Sequence, residues 1–146
     1  MSTDLAIETI NETEGTDYRW LGAPNENPRG ISASLDLTEA GGLLPHLTPL
    51  GTVRSGIAVG QITESELYGL YDPTATDGRE VLAGFVRTDV NVFTQKGKVQ
   101  ASGKSPFSLM KHGLVVVKYL PIAAQRSITY LTPNSGQFVF TGVSAA

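Results

Sequence analysis

The clearest chemical possibility in this sequence is a phosphate-binding loop. Gly103-Lys104-Ser105 matches the end of a P-loop, in which backbone N–H groups cradle phosphate while the lysine and hydroxyl engage the phosphate and its metal. The upstream glycine, Gly97, stands one position too far away, and Pro106 follows where the motif needs a long helix. The Gly51–Gly56 pair has the required spacing but continues with Ile57-Ala58 instead of Lys-Ser. We therefore interpret these glycines as turn residues.

Acid–base and metal chemistry have equally little support. His46 and His112 are the only histidines, and neither has a carboxylate cluster nearby in sequence that resembles a metal site. No Gly-x-Ser-x-Gly elbow supports a nucleophilic serine, and the chain has no cysteine for a disulfide or a Cys-ligated zinc. Asp72 and Asp77 share a loop but lack the alternating oxygen ligands of an EF-hand. The sequence predicts no enzyme activity, no cofactor and no metal.

Charge is unevenly distributed along the chain. Residues 1–89 carry 5 basic and 14 acidic residues, a balance of -9, whereas residues 90–146 carry +6, which gives the total of -3. One interpretation is a solvated acidic tail with scattered surface lysines; the other is that opposite charges guide neighbouring subunits together. Because the whole chain is acidic, we predict no nucleic-acid binding despite a basic stretch, which comprises Lys96, Lys98, Lys104 and Lys111.

The elements that would position these residues are strands. The chain's 146 residues allow one ordinary domain, and 16 Gly and 8 Pro break it often between segments rich in Val, Ile, Thr and Tyr. We predict a mainly β fold with at most short helices, a β-rich α+β class, in one compact domain with a flexible N-terminal arm. A short helix is possible at 106–110. The predicted strands span residues 51–63, 67–71, 81–87, 113–119, 127–132 and 137–142.

The first 46 residues differ from the rest. Residues 1–30 have no lasting apolar period and contain many turn formers, which is typical of a flexible arm. No signal peptide or membrane-spanning run is present, so we expect a soluble protein made inside a cell. Ile31, Ala33, Leu35 and Leu37 then alternate with polar residues, which predicts a half-buried or addable β-strand. Trp20, the only tryptophan, either packs onto its own domain or becomes buried against a partner.

Five segments between residues 47 and 87 share a diffuse pattern of glycines, a tyrosine pair and an Asp-Gly turn rather than one short motif. They are Leu47-Thr48-Pro49-Leu50, Gly56-Ile57-Ala58-Val59-Gly60-Gln61-Ile62-Thr63, Tyr68-Gly69-Leu70-Tyr71-Asp72-Pro73, Thr76-Asp77-Gly78-Arg79-Glu80 and Ala83-Gly84-Phe85-Val86. This pattern resembles the phage lambda-type head decoration protein family. The resemblance covers residues 47–87 and extends less closely to the strand at 111–120.

The resemblance implies a homotrimer made in the host cytoplasm and located on the outer capsid surface of the virion, with the major capsid protein as its partner. Residues 1–46 would be a flexible arm ending in a capsid-addable strand, and residues 47–146 a β-rich decoration domain. Deleting residues 1–38 would then leave a folded trimer. The alternative is a β-barrel that binds a small molecule or glycan. The predicted capsid-binding residues are Trp20, Leu21, Ile31, Ala33, Leu35 and Leu37.

Overall fold

The computed structural model describes residues 17–22, 30–95, 98–99, 103–128 and 138–141. Within these ranges every helix is a 3-10 helix of at most five residues, so the predicted mainly β class is confirmed. The 3-10 helices are Glu39–Gly41, Leu44–His46, Val117–Tyr119 and Ala123–Ser127. The strands are β1 Ile31–Asp36, β2 Thr52–Val53, β3 Ala58–Gln61, β4 Tyr68–Leu70, β5 Gly84–Val86, β6 Val90–Asn91, β7 Phe93–Gln95, β8 Lys98–Val99, β9 Lys104–Met110, β10 Gly113–Val116 and β11 Phe138–Thr141.

Five strands close into a barrel. Their order is β1-β4-β3-β5-β9, and β9 pairs back onto β1. The β1–β4 pair is parallel and the other pairs are antiparallel. The longest ladder joins β1 to β9 along its whole length, from Ile31 opposite Leu109 to Asp36 opposite Lys104. Because the sheet closes on itself, each of its strands has a neighbouring strand on both sides.

Side chains fill the barrel. Alternation along β1 turns Leu35 inward, and β9 contributes Phe107 and Leu109, as expected where every second residue of a strand faces the core. Tyr68 packs against this cluster, with its ring edge-on to Phe107 at a centroid distance of 5.7 Å. The buried members of this inner cluster are Leu35, Leu37, Leu43, Val53, Ile57, Val59, Val86, Val92, Phe107 and Leu109.

A second apolar cluster lies between the barrel and an outer ribbon. The ribbon is the parallel pair β10–β11, whose register places Val115 opposite Phe140. Phe138 of the ribbon meets Phe85 of β5 edge-on at a centroid distance of 5.1 Å. The members of this outer cluster are Trp20, Leu21, Ala58, Tyr71, Leu82, Phe85, Met110, Val115, Val117, Leu120, Ile128, Phe138 and Phe140. The outer cluster therefore combines residues from both ends of the described chain, from Trp20 to Phe140.

The 3-10 helix Ala123–Ser127 is fastened to the barrel by a buried glutamine. The Gln125 amide accepts a hydrogen bond from the Ala58 N–H at 2.8 Å and donates to the Ala58 carbonyl at 3.0 Å. The same NH₂ group lies 3.4 Å from the Tyr71 carbonyl. The Ala58 carbonyl also accepts a hydrogen bond from the Tyr71 N–H at 3.0 Å, so the Gln125 side chain adds to the backbone pairing at the start of β3.

The structure differs from the sequence predictions near the N-terminus. Residues 30–46, predicted to be the end of a flexible arm, belong to the barrel domain, because β1 pairs with both β4 and β9. Deleting residues 1–38 would remove β1 from the barrel and expose the edges of β4 and β9. The structure therefore does not support the prediction that this deletion leaves a folded trimer. Predicted arm residues 1–16 and 23–29 lie outside the described residues.

Two local predictions, at residues 106–110 and 127–132, also differ from the structure, and the second lies partly outside the described residues. Residues 106–110, considered for a short helix, are part of β9, where Pro106 pairs with Ser34 of β1. The predicted strand at 127–132 begins inside a 3-10 helix that ends at Ser127, and its residues 129–132 lie outside the described residues. At residues 106–110, local helix propensity was outweighed by the pairing of β9 with β1. In the described part of the chain, no helix has the length and apolar character to cross a bilayer.

Candidate functional site

The six residues predicted to bind a capsid do not form one exposed surface. Trp20, Leu21, Leu35 and Leu37 are buried, the first two in the outer cluster and the other two in the inner one. Ala33 is partly buried and packs against the inner cluster, whereas 51% of Ile31 is exposed. In this conformation Ile31 is therefore the one member of the set that presents a large apolar side chain to solvent.

Strand β1 is already part of a sheet. Its residues pair with β9 along the whole of one side, and Leu35 pairs with Tyr68 of β4 on the other. β-augmentation requires unpaired N–H and C=O groups along a strand. On its β9 side, β1 therefore offers no edge to a capsid strand. The prediction that these residues contact a capsid remains a prediction.

The position of Trp20 answers the question left open by the sequence, because its side chain is fully buried against its own domain. Its ring packs against Phe85 of β5 at a centroid distance of 5.6 Å. Gly56, with φ of 100°, provides the space: a Cβ there would lie 2.9 Å from Cδ1 of the indole. The positive φ and the close indole together explain why glycine occupies this turn.

A buried relay satisfies the polar atom of Trp20. The indole N–H donates to Oγ of Ser55 at 2.9 Å, and that hydroxyl donates in turn to the Arg87 carbonyl at 2.9 Å. The backbone N–H of Ser55 donates to Oδ1 of Asp89 at 2.7 Å. The hydroxyl of Ser55 is thus occupied as donor and acceptor, and no histidine is placed to activate it. This serine positions Trp20 and does not resemble a nucleophile.

The backbone on either side of Leu21 pairs with the ribbon. The Val116 N–H donates to the Trp20 carbonyl at 2.7 Å, and the Gly22 N–H donates to the Leu114 carbonyl at 3.0 Å. Between these two hydrogen bonds, Leu21 forms an antiparallel bridge with Val115. Residues 17–22, which we call the clasp segment, therefore lie beside β10 on the side away from β11, with the Trp20 side chain inserted into the barrel wall.

Charged and aromatic side chains cover the clasp segment. Arg19 forms an ion pair with Asp17 at 2.8 Å and lies over the Tyr119 ring at 4.8 Å. Lys118 lies 5.2 Å from the same ring, and Arg87 lies 5.5 Å from the ring of Tyr18. Hydrogen bonds from the Arg19 side chain and backbone lower the pKa of Asp17 below its ordinary value. The outer face of the segment is thus a stack of cations and tyrosines.

A cavity of about 210 Å³ adjoins this stack. It is lined by Asp17, Arg54, Ser55, Asp89, Tyr119 and Pro121. Its carboxylates already accept hydrogen bonds, Asp17 from Arg19 and Asp89 from the Ser55 backbone. The lining contains no nucleophile paired with a base, so the cavity has no recognisable catalytic arrangement.

The loop at 72–80 is stabilised by its own hydrogen bonds. Asp72 accepts from the backbone and hydroxyl of Thr74, and these bonds lower the Asp72 pKa. Burial acts to raise the pKa of Asp77, but hydrogen bonds from Arg79 outweigh it and the net direction is downward. Over the described residues no three His, Cys, Asp or Glu side chains come together as a possible metal site.

The alternative of a ligand-binding barrel has a specific structural weakness. The inner cluster fills the barrel, which leaves its interior to side chains rather than to a ligand. A cavity of about 290 Å³ does lie outside the barrel, between Tyr71 and Ile128, with His46 and Gln125 on its walls. Tyr71 is its single aromatic residue, which does not match the aromatic-lined pocket that this alternative predicts.

Sequence inspection did not identify the partners of Trp20. Ser55 and Gly56 carry no local sequence sign of this role, and Trp20 lies 35 or more positions before them in the chain. No local signal could have revealed these contacts, since they depend on how the chain ends meet around the barrel. Comparisons with protein-family models, curated proteins and solved structures found no match for this chain.

Proposed function

We propose that this chain is a structural, non-enzymatic component of a virus particle, a homotrimeric head decoration protein. In this proposal it binds the outer surface of an expanded tailed-phage capsid at three-fold sites and stabilises the shell against the pressure of packaged DNA. The observation that carries the proposal is the resemblance of residues 47–87 to the lambda-type decoration proteins. Trimerisation and the capsid site are inferred through that resemblance.

The placement of the resembling residues supports this proposal. The segment 56–63 contains β3, the segment 68–73 contains β4, and the segment 83–86 contains β5. These three strands are adjacent in the barrel in the order β4-β3-β5. Residues that carry the resemblance thus build one continuous part of the fold rather than scattered surface positions. These residues form part of the barrel. The capsid role applies to this chain only if the chain shares both the fold and the role of the lambda-type decoration proteins.

We propose a capsid contact narrower than the arm defined from the sequence. Residues 17–22 are held in the outer cluster and residues 30–46 belong to the barrel domain. We therefore assign the contact to residues 1–16, with exposed Ile31 as an additional apolar contact. Three such segments in a trimer would act together, and effective concentration raises avidity by about 10² to 10⁴ over a single segment. A weak individual contact is then sufficient.

Co-sedimentation with expanded heads that lack a decoration protein tests the proposal. Full-length protein should pellet with the heads, and a variant without residues 1–16 should remain folded but stay in the supernatant. Ile31→Ser should weaken binding several-fold. Val139→Ser is the matched control, because Val139 is a similarly exposed aliphatic residue, at 58%, on β11 of the ribbon.

Light scattering provides an independent test of assembly. The proposal expects a species near three times the chain mass of 15.5 kDa. A stable monomer that fails to bind heads would refute the decoration role and favour the ligand-binding alternative. Equal head binding by the shortened variant and the full chain would instead refute the assignment of residues 1–16.

A further inference from the structure

The clasp segment contacts two layers of the protein by different means. Its side chain Trp20 enters the barrel wall between Ser55, Gly56 and Phe85. Its backbone pairs with β10 of the ribbon through the Trp20 carbonyl and the Gly22 N–H. The segment therefore joins barrel and ribbon at one point, next to the start of the described chain.

The geometry of these contacts is suited to resist pulling. The two hydrogen bonds between the clasp segment and β10 lie across the direction of the chain, on either side of Leu21. Because ladder hydrogen bonds are perpendicular to their strands, a pull directed along the clasp segment acts across both bonds. Extracting Trp20 would also expose its buried ring and leave the hydroxyl of Ser55 without its donor.

We propose that residues 17–22 act as a clasp that carries tension. Tension applied to the chain before Asp17 passes through Trp20 into the barrel and through the backbone into the ribbon, so the segment transmits tension without opening. This inference rests on the proposed function for the source of the load, which would be residues 1–16 bound to an expanded capsid. The clasp itself is a property of the free protein and can be measured without a capsid.

Single-molecule pulling tests the clasp directly. Since the chain has no cysteine, Ser2→Cys and Glu64→Cys supply unique handles at the N-terminus and on the exposed β3–β4 turn. Slippage of the clasp would place residues 17–30 under tension and give an early step of at most ~50 Å, the fully extended length of that stretch. The protein should unfold with no such early step. Frequent early steps in the otherwise unaltered sequence would overturn the proposal.

Ser55→Ala is the informative variant and Ser65→Ala its matched control. Both remove one serine hydroxyl, but Ser65 lies on the exposed turn and accepts only the Leu67 N–H among the described contacts. Ser55→Ala should introduce the early step, whereas Ser65→Ala should behave like the parent. Indistinguishable traces for the two variants would contradict the role given to Trp20.

Hydrogen exchange provides a measurement that does not depend on force. Ser55→Ala should accelerate exchange at the Val116 and Gly22 amides by about fivefold, the effect expected from one lost hydrogen bond. The Leu37 amide, bonded to Gly103 at the far side of the barrel, should be unchanged. Equal acceleration at all three amides would show that the segment has no separate role. The parent protein could fail to bind heads while the pulling and hydrogen-exchange results are as expected. That outcome would refute the proposed function but not the clasp.

Discussion

The indole N–H of Trp20 donates a hydrogen bond of 2.9 Å to Oγ of Ser55, which lies 35 positions later in the chain. This contact joins the N-terminal segment to the turn that precedes β3. It makes a residue of the predicted flexible arm part of the structural core. Removal of either partner should therefore affect the whole domain more than exposed positions in the same segment do.

Trp20→Ala should destabilise the protein by about 3–5 kcal/mol, because it removes a large, fully buried aromatic side chain and leaves a cavity against Phe85. Urea unfolding followed by far-ultraviolet circular dichroism measures this free energy. Tyr18→Ala, in the same segment but with an exposed ring, should cost less than about 1 kcal/mol. Similar losses for the two variants would contradict the burial assigned to Trp20.

Gln125→Ala should reduce the free energy of unfolding by about 2–3 kcal/mol. The change leaves the buried Ala58 N–H without its acceptor and removes one of the two donors to the Ala58 carbonyl, which keeps its hydrogen bond from the Tyr71 N–H. Chemical denaturation measures the loss. Ser127→Ala, two positions away and exposed, should stay within about 0.5 kcal/mol of the parent. A loss below 1 kcal/mol for Gln125→Ala would show that the hydrogen bonds are not formed in solution.

Gly60→Ala should destabilise the barrel by about 1–3 kcal/mol through overpacking. A Cβ on Gly60 would lie 2.7 Å from the Arg79 backbone, which cannot move aside as a flexible side chain could. Thermal unfolding should show the lower melting temperature. Gly103→Ala is a useful comparison, since its nearest neighbour would be the Thr38 methyl group at 3.2 Å, although its φ of 70° adds strain of a different kind. A melting temperature unchanged by Gly60→Ala would refute the close approach.

Acid should weaken the loop at 72–80. Hydrogen bonds from Thr74 lower the pKa of Asp72 below its ordinary value of 3.8, so the folded state favours the ionised form. The resulting stabilisation is present above pH 3.8 and is lost as the pH falls through the folded-state pKa. Because Asp72 is close to solvent, the effect should be small. The parent and Asp72→Asn should therefore differ less in their free energies of unfolding at acidic pH than at neutral pH.

Thr74→Val supplies the control for this pH effect. Valine keeps the shape of threonine but removes the hydroxyl that donates to Asp72 at 2.7 Å. The pKa of Asp72 should then rise toward its ordinary value, as carboxyl titration by nuclear magnetic resonance would show. An unchanged titration curve would mean that the backbone N–H of Thr74 alone sets the pKa.

The sequence by itself determined the class of the fold and the position of some strands. Period-two alternation from Ile31 correctly predicted β1, because one face of a strand must be apolar to enter a core. The frequent turn formers correctly indicated short strands. The seven residues of β9 were missed, since Pro106 within the strand and a serine before it are local signals for a helix start.

Only the tertiary structure decided what those elements contact. Alternation shows that a strand has an apolar face but not which strands lie beside it. A strand that adds to a partner's sheet and a strand inside a closed barrel therefore have the same sequence pattern. Trp20 could equally have served a partner or its own core, and the choice depends on Ser55, Gly56 and Phe85 meeting it in space. Trp20 is buried because the closed barrel and the outer ribbon come together around it. No local stretch of sequence contains that information.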